Sequence, residues 1–120
     1  MLIDLLTAPE AQAGWYEWLA VLVAHAFVGA ALLAVFGALM SWLHGSGSNL
    51  ALAMAIEAYA IWETMHYLIN GDWRDALIDW TAVSAGAVVA WAAWNRRGAA
   101  IAVALVVLSV VGIKGVRTRR

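Results

Sequence analysis

The sequence predicts an all-α integral membrane helical bundle, and three observations predict it. Of the 120 residues, 65% are hydrophobic and 12% charged, where soluble domains carry about 45–50% and about 25%; the mean hydropathy is +0.81. Uncharged runs reach the length a bilayer requires. Short breaks rich in turn-forming residues separate those runs. A chain of this length has room for one domain, 1–120, and its apolar surface exceeds what a water-soluble core of that size can hide, so lipid has to cover the remainder.

The opening MLIDLLTAPEAQAG holds a small-residue stretch, Ala11 to Gly14, that resembles a signal-peptidase site. The expectation is nonetheless that it is not a secretory signal, because Asp4 stands where a basic n-region belongs and no apolar run of sufficient length precedes the stretch. Thr7, Pro9 and Glu10 read as a helix start, with Thr as cap, Pro in the first turn and an acid near the positive end of the dipole. A short interfacial segment leading into the first span is expected.

Residues 18–43 contain no Asp, Glu, Lys or Arg and one titratable group, His25. At about 1.5 Å per residue they reach roughly 39 Å, enough to cross a hydrocarbon core of about 30 Å with tilt. Trp15, Tyr16 and Trp18 at one end and Trp42 at the other are expected as interfacial belts. Ala26, Ala30, Ala34 and Ala38 recur every four residues, with Gly29 and Gly37 beside them, giving smooth stripes where another helix can approach. HGSGSN, residues 44–49, is the first break, and Ser48 or Asn49 is the expected cap of the second helix, 50–69. Asn70-Gly71 ends that helix as a turn.

The third helix is predicted over 73–94. Because only about three residues separate it from the second, the two form an antiparallel hairpin. A fourth, 98–115, follows the Asn95–Gly98 break. It is short for a span, but Ile101 to Val111 is hydrophobic all round and lacks the polar face of a surface helix, so four transmembrane helices are expected, with three plus a surface helix as the alternative. On the four-span topology Arg74, Lys114, Arg117, Arg119 and Arg120 fall on one side and Arg96 with Arg97 on the other, which puts both termini in the cytoplasm of a bacterial inner membrane.

Charge singles out one segment. Glu57 to Asp79 holds five of the eight acids and one base, Arg74, whereas the chain from Arg96 onward holds six bases and no acid. A charge near the bilayer centre costs about 2.5–3.5 kcal/mol on insertion scales, so an acid there marks a site until shown otherwise. Tyr59, Glu63, His66, Tyr67 and Asn70 share one face of the second helix; Glu57 and Thr64 lie roughly 120° around. The candidate ligand-binding residues are Glu57, Glu63, His66, Arg74, Asp75 and Asp79, with Glu63, His66 and Asp79 converging at the hairpin end and Arg74 close enough to pair one carboxylate. Glu57 reads equally as a protonated acid bonded to a neighbouring helix near His25. Asp72, Arg74 and Asp75 read also as a solvated turn, and His25 as a core histidine.

Glu63 and His66 form Glu-x-x-His, the spacing of di-iron carboxylate bundles, but there is no second copy. Neither a metal centre nor any other cofactor is therefore expected. The absence of Cys excludes disulfides, thiol chemistry and Cys-ligated clusters. No Ser-His-Asp arrangement, phosphate-cradling glycine loop or zinc protease motif is present, so no catalytic residue is assigned. Nucleic acid is not an expected partner, the one basic cluster being a short tail beside an apolar segment.

Glu63 with a polar residue three later, a turn carrying Arg74, then Asp79 and the pair Gly86-Ala87 resemble the VanZ-like family of small polytopic membrane proteins, and His25 matches a position in its first helix. His66 stands where Gln is commoner and Val83 where Asn is usual. The resemblance covers about residues 57–87 and implies an envelope role in bacteria. Two readings from other classes stand beside it. A phage holin is similarly short and carries a basic C-terminal tail, though it needs no buried acid cluster. An accessory subunit, or a homo-oligomer, would dock through the Ala26, Ala30, Ala34, Ala38 stripe.

Overall fold

The structure, a computed structural model, describes residues 14–119. The expected interfacial segment around Thr7 and Pro9 lies outside them, as does Arg120. Four helices and no strand occur among the described residues: α1 (Trp15–His44), α2 (Ser48–Asn70), α3 (Trp73–Trp94) and α4 (Gly98–Thr118).

Local chemistry sets the breaks. Gly45 and Gly71 adopt left-handed φ values of 72° and 73° and return their N–H groups to the Ser41 and Tyr67 carbonyls at 2.9 and 2.7 Å, closing α1 and α2; only glycine takes this conformation at little cost. Asp72 caps α3, its carboxylate accepting from the Arg74 and Asp75 N–H groups at 3.0 and 3.3 Å. The cap expected of Ser48 or Asn49 does not form. The N-cap of α2 is Gly47, and the two polar side chains reach across to α3 instead. Trp91 Nε1 donates to Asn49 Oδ1 at 2.9 Å, and Ser48 Oγ donates to Asn95 Oδ1 at 3.3 Å.

Those bonds, with that from Trp80 Nε1 to the Ile56 carbonyl at 3.3 Å, fix α2 and α3 as an antiparallel hairpin, since 49 meets 91 while 56 meets 80. The widest interface lies between α1 and α3, which run parallel. There Gly29 faces the Val83 backbone and Gly86 the Ala26 backbone, so two helix backbones touch. Part of the small-residue stripe of α1 is thus spent inside the bundle, while Ala34 and Ala38 remain exposed. α4 packs on α1 and α3, and Gly115 lies against the Trp18 ring.

Trp18, expected in an interfacial belt, is a core residue, 2% exposed. The cause is that a glycine on α4 gives its ring a floor, while the Arg119 guanidinium sits 4.8 Å from the ring centroid in a cation–π contact. Trp15, Tyr16 and Trp42 are exposed as belts require.

α1, α3 and α4 are each long and apolar enough to cross a membrane. The shortfall in apolarity falls on α2, where Glu57, Glu63, His66 and their neighbours lower the hydropathy, rather than on the fourth helix as the surface-helix alternative supposes. α4 is also longer than the expected 98–115, continuing one turn to Thr118. Exposed hydroxyls on the apolar helices are satisfied locally: Thr64, Thr81 and Ser109 donate to the carbonyls of Ala60, Leu77 and Leu105 at 2.7–2.8 Å, the four-back bond that makes such residues tolerable without water.

Candidate functional site: a buried histidine and two carboxylates

Among the described residues, three Asp, Glu or His side chains are buried in the bundle: His25 of α1, Glu63 of α2 and Asp79 of α3, exposed by 1%, 4% and 5%. One ligand atom from each falls within 4.8 Å of the other two. Asp79 enters the membrane-compatible part of α3 six residues after Trp73, roughly 9 Å along the axis. Glu63 comes back along α2 at the matching depth because the connection between α2 and α3 is so short.

His25 is brought in by the helix crossing. It lies one turn before Gly29 on the same face of α1, and Asp79 lies two turns before Gly86 on the facing side of α3. The backbone contact at the two glycines draws the preceding turns together until His25 Nε2 is 3.3 Å from Asp79 Oδ2. The ring is held from behind, Nδ1 lying 2.8 Å from the Val21 carbonyl. A carbonyl oxygen can only accept, so Nδ1 carries the proton. The remaining nitrogen, Nε2, faces the two carboxylates.

The cluster is short of partners. Among the described residues neither His25 Nε2 nor Glu63 Oε2 has a hydrogen-bond partner of good geometry, although each is shut off from solvent. Tyr59, buried one turn before Glu63, packs edge-on to the His25 ring at 6.2 Å between centroids and sets its hydroxyl beside the Glu63 carboxyl. His66 Nδ1 lies 3.9 Å from Glu63 Oε2 at the rim. With two carboxylates and one imidazole lone pair, the site offers acceptors and almost no donors.

Of the residues singled out from sequence, Glu63 and Asp79 come together and His66 adjoins them. Asp75 stands one turn above Asp79, half-buried, with Oδ1 shielded and unpartnered. Arg74 is exposed, its guanidinium 5.5 Å from the Trp73 ring centroid, and no carboxylate lies within ion-pair distance of it among the described residues; its expected pairing is taken over by Trp73 because both side chains emerge at the surface end of α3. Glu57 points outward from α2. His25, read from sequence also as a core histidine, lies within ion-pair distance of Asp79. The signal for it was its place one turn from Gly29. On the outer side of the hairpin a groove of about 310 Å³, lined by Thr64, Trp73 and Trp80 among others, reaches Glu63.

The fold and site together define a small helical bundle with membrane-compatible helices and one buried, acceptor-rich cluster. No protein-family model, curated protein or solved structure matches the chain.

Proposed function

We propose that this chain is an integral membrane protein of the bacterial envelope, all four helices crossing the bilayer, that binds a proton or other small cationic ligand at His25, Glu63 and Asp79. One observation carries the reading: two buried carboxylates converge on a histidine whose free nitrogen faces them, and among the described residues His25 Nε2 and Glu63 Oε2 have no hydrogen-bond partner. In a medium of low dielectric, two ionised carboxylates beside a neutral imidazole are too costly to persist. The site must take up positive charge. Histidine is the side chain suited to exchange it near neutral pH, and Asp72, Asp75 and Asp79, at i, i+3 and i+7 on α3, lead inward from an exposed cap to the buried cluster. The cluster also favours this reading over a lysis pore, which has no need of one.

The test is infrared difference spectroscopy on the purified protein in nanodiscs, stripped with chelator and stepped across pH 5 to 8. A carbonyl stretch from a protonated, buried carboxyl group should change with pH. It should be lost or displaced in Asp79→Asn and in Glu63→Gln. A wild-type spectrum with no pH-dependent carboxyl band, or an unaltered band in both variants, overturns the proton as the ligand.

A further inference from the structure

We propose that His25 Nε2, Glu63 and Asp79 form a binding site for a divalent first-row transition-metal ion, with Zn²⁺ the best match. The inference rests on the cation-site reading above and names the cation.

Charge balance is the first ground. Two carboxylates and a neutral imidazole sum to a charge of minus two, which one dication cancels, so that a neutral cluster is left in the bundle interior. Protons achieve the same only in pairs. The second ground is geometric. Ligand atoms held about 2.0–2.1 Å from a tetrahedral zinc ion are about 3.3 Å from one another. His25 Nε2 and Asp79 Oδ2 stand 3.3 Å apart, and do so without hydrogen-bond geometry. The third donor, Glu63, lies within the 4.8 Å span of the set, and its Oε2 has no hydrogen bond to surrender as it turns inward.

The surroundings are those a metal site uses. A ligating histidine commonly donates its other ring N–H to a backbone carbonyl, which fixes tautomer and ring orientation; His25 Nδ1 does this with Val21 at 2.8 Å. Asp75, half-buried between the exposed Asp72 and the cluster, supplies an intermediate carboxylate on the way in. The donor set decides the class of ion. Mg²⁺ and Ca²⁺ favour six or more oxygens, whereas one imidazole with two carboxylates suits Zn²⁺ and its neighbours in the first row. Three protein ligands leave a fourth position for water or an incoming group.

The experiment uses the full chain, tag removed, chelator-stripped and reconstituted in nanodiscs, with Co²⁺ as optical probe. One equivalent should bind, giving visible ligand-field absorption that Zn²⁺ abolishes and a large excess of Mg²⁺ does not. His25→Gln, Glu63→Gln and Asp79→Asn should each weaken binding by about tenfold to a hundredfold or more, and His44→Gln, at the C-terminal end of α1, should leave it unchanged. Size exclusion and circular dichroism establish that each variant is folded. If one fails, the remaining two decide. No saturable Co²⁺ signal in the wild type, or full binding in the folded variants, overturns the metal site. The infrared experiment separates the two proposals: a pH-dependent carboxyl band without Co²⁺ binding removes the metal and keeps the proton site, while the loss of both removes both.

Discussion

Gly29 of α1 and Gly86 of α3 form a reciprocal pair: a Cβ on Gly29 would collide with the Val83 carbonyl, and one on Gly86 with the Ala26 carbonyl. The obstacle in each case is backbone, which cannot rotate aside. In an exposed helix Gly→Ala gains up to about 1 kcal/mol from propensity. Here the steric conflict should win, and Gly29→Ala or Gly86→Ala should destabilise by about 1–3 kcal/mol in denaturant titrations in mixed micelles. Gly37, also on α1, has nothing within 4 Å of a built Cβ, so Gly37→Ala should be neutral or slightly stabilising. Equal effects at all three positions would mean that α1 and α3 do not cross at the glycines.

The same pair explains what could be read from the sequence and what could not. Asn70-Gly71 and a very short connection forced α2 and α3 into a hairpin, and the helical period then put Glu63 opposite Asp79. Both statements depend on neighbours in the chain. That α1 lies parallel to α3 depends on two helices separated by all of α2, and no local pattern records it. His25 therefore carried no sign of its partner, although its spacing from Gly29 placed it on the contact face. Arg74 and Trp18 mislead for a related reason. A charge beside acids and an aromatic near a helix end have preferred partners on average, and here an adjacent ring and a distant glycine took those roles.

Asp79 separates a site from a brace. Asp79→Asn keeps the shape and some hydrogen bonding, and should cost no more than about 1 kcal/mol while removing the infrared carboxyl change. The combined replacement His25→Leu, Glu63→Leu and Asp79→Leu should fold as well as the wild type or better by about 1–4 kcal/mol, because apolar side chains that replace a whole buried ionic network leave no orphaned group. Mixed-micelle denaturation measures both. Collapse of the triple variant would identify the cluster as structural.

With no native Cys in the chain, single cysteines report topology directly. If all four helices cross, Ser46→Cys and Arg96→Cys label from one face of the membrane, and Gly71→Cys and Arg117→Cys from the other. Labelling of 46 and 71 from the same face would leave α2 on the surface. Labelling of 96 and 117 from the same face would do so for α4, against its apolar length.

Glu57 and Glu63 are less than two turns apart on α2, yet they face opposite environments. Glu63 is 4% exposed inside the bundle, whereas Glu57 is on the outer surface, with no hydrogen bond or ion pair among the described residues. If α2 crosses the bilayer as proposed, an acid on that face is a cost, about 2.5–3.5 kcal/mol on insertion scales, and the bundle gives nothing back for it. Glu57→Leu should therefore leave the infrared band and Co²⁺ binding unchanged and should stabilise the monomer by no more than that figure. Glu63→Leu should instead abolish both signals. Thermal unfolding in nanodiscs, run beside the two spectroscopic assays, makes the comparison. If Glu57→Leu destabilises the protein or removes either signal, the outer face of α2 is engaged with the site or with another chain, and the proposed exposure of Glu57 to lipid is refuted.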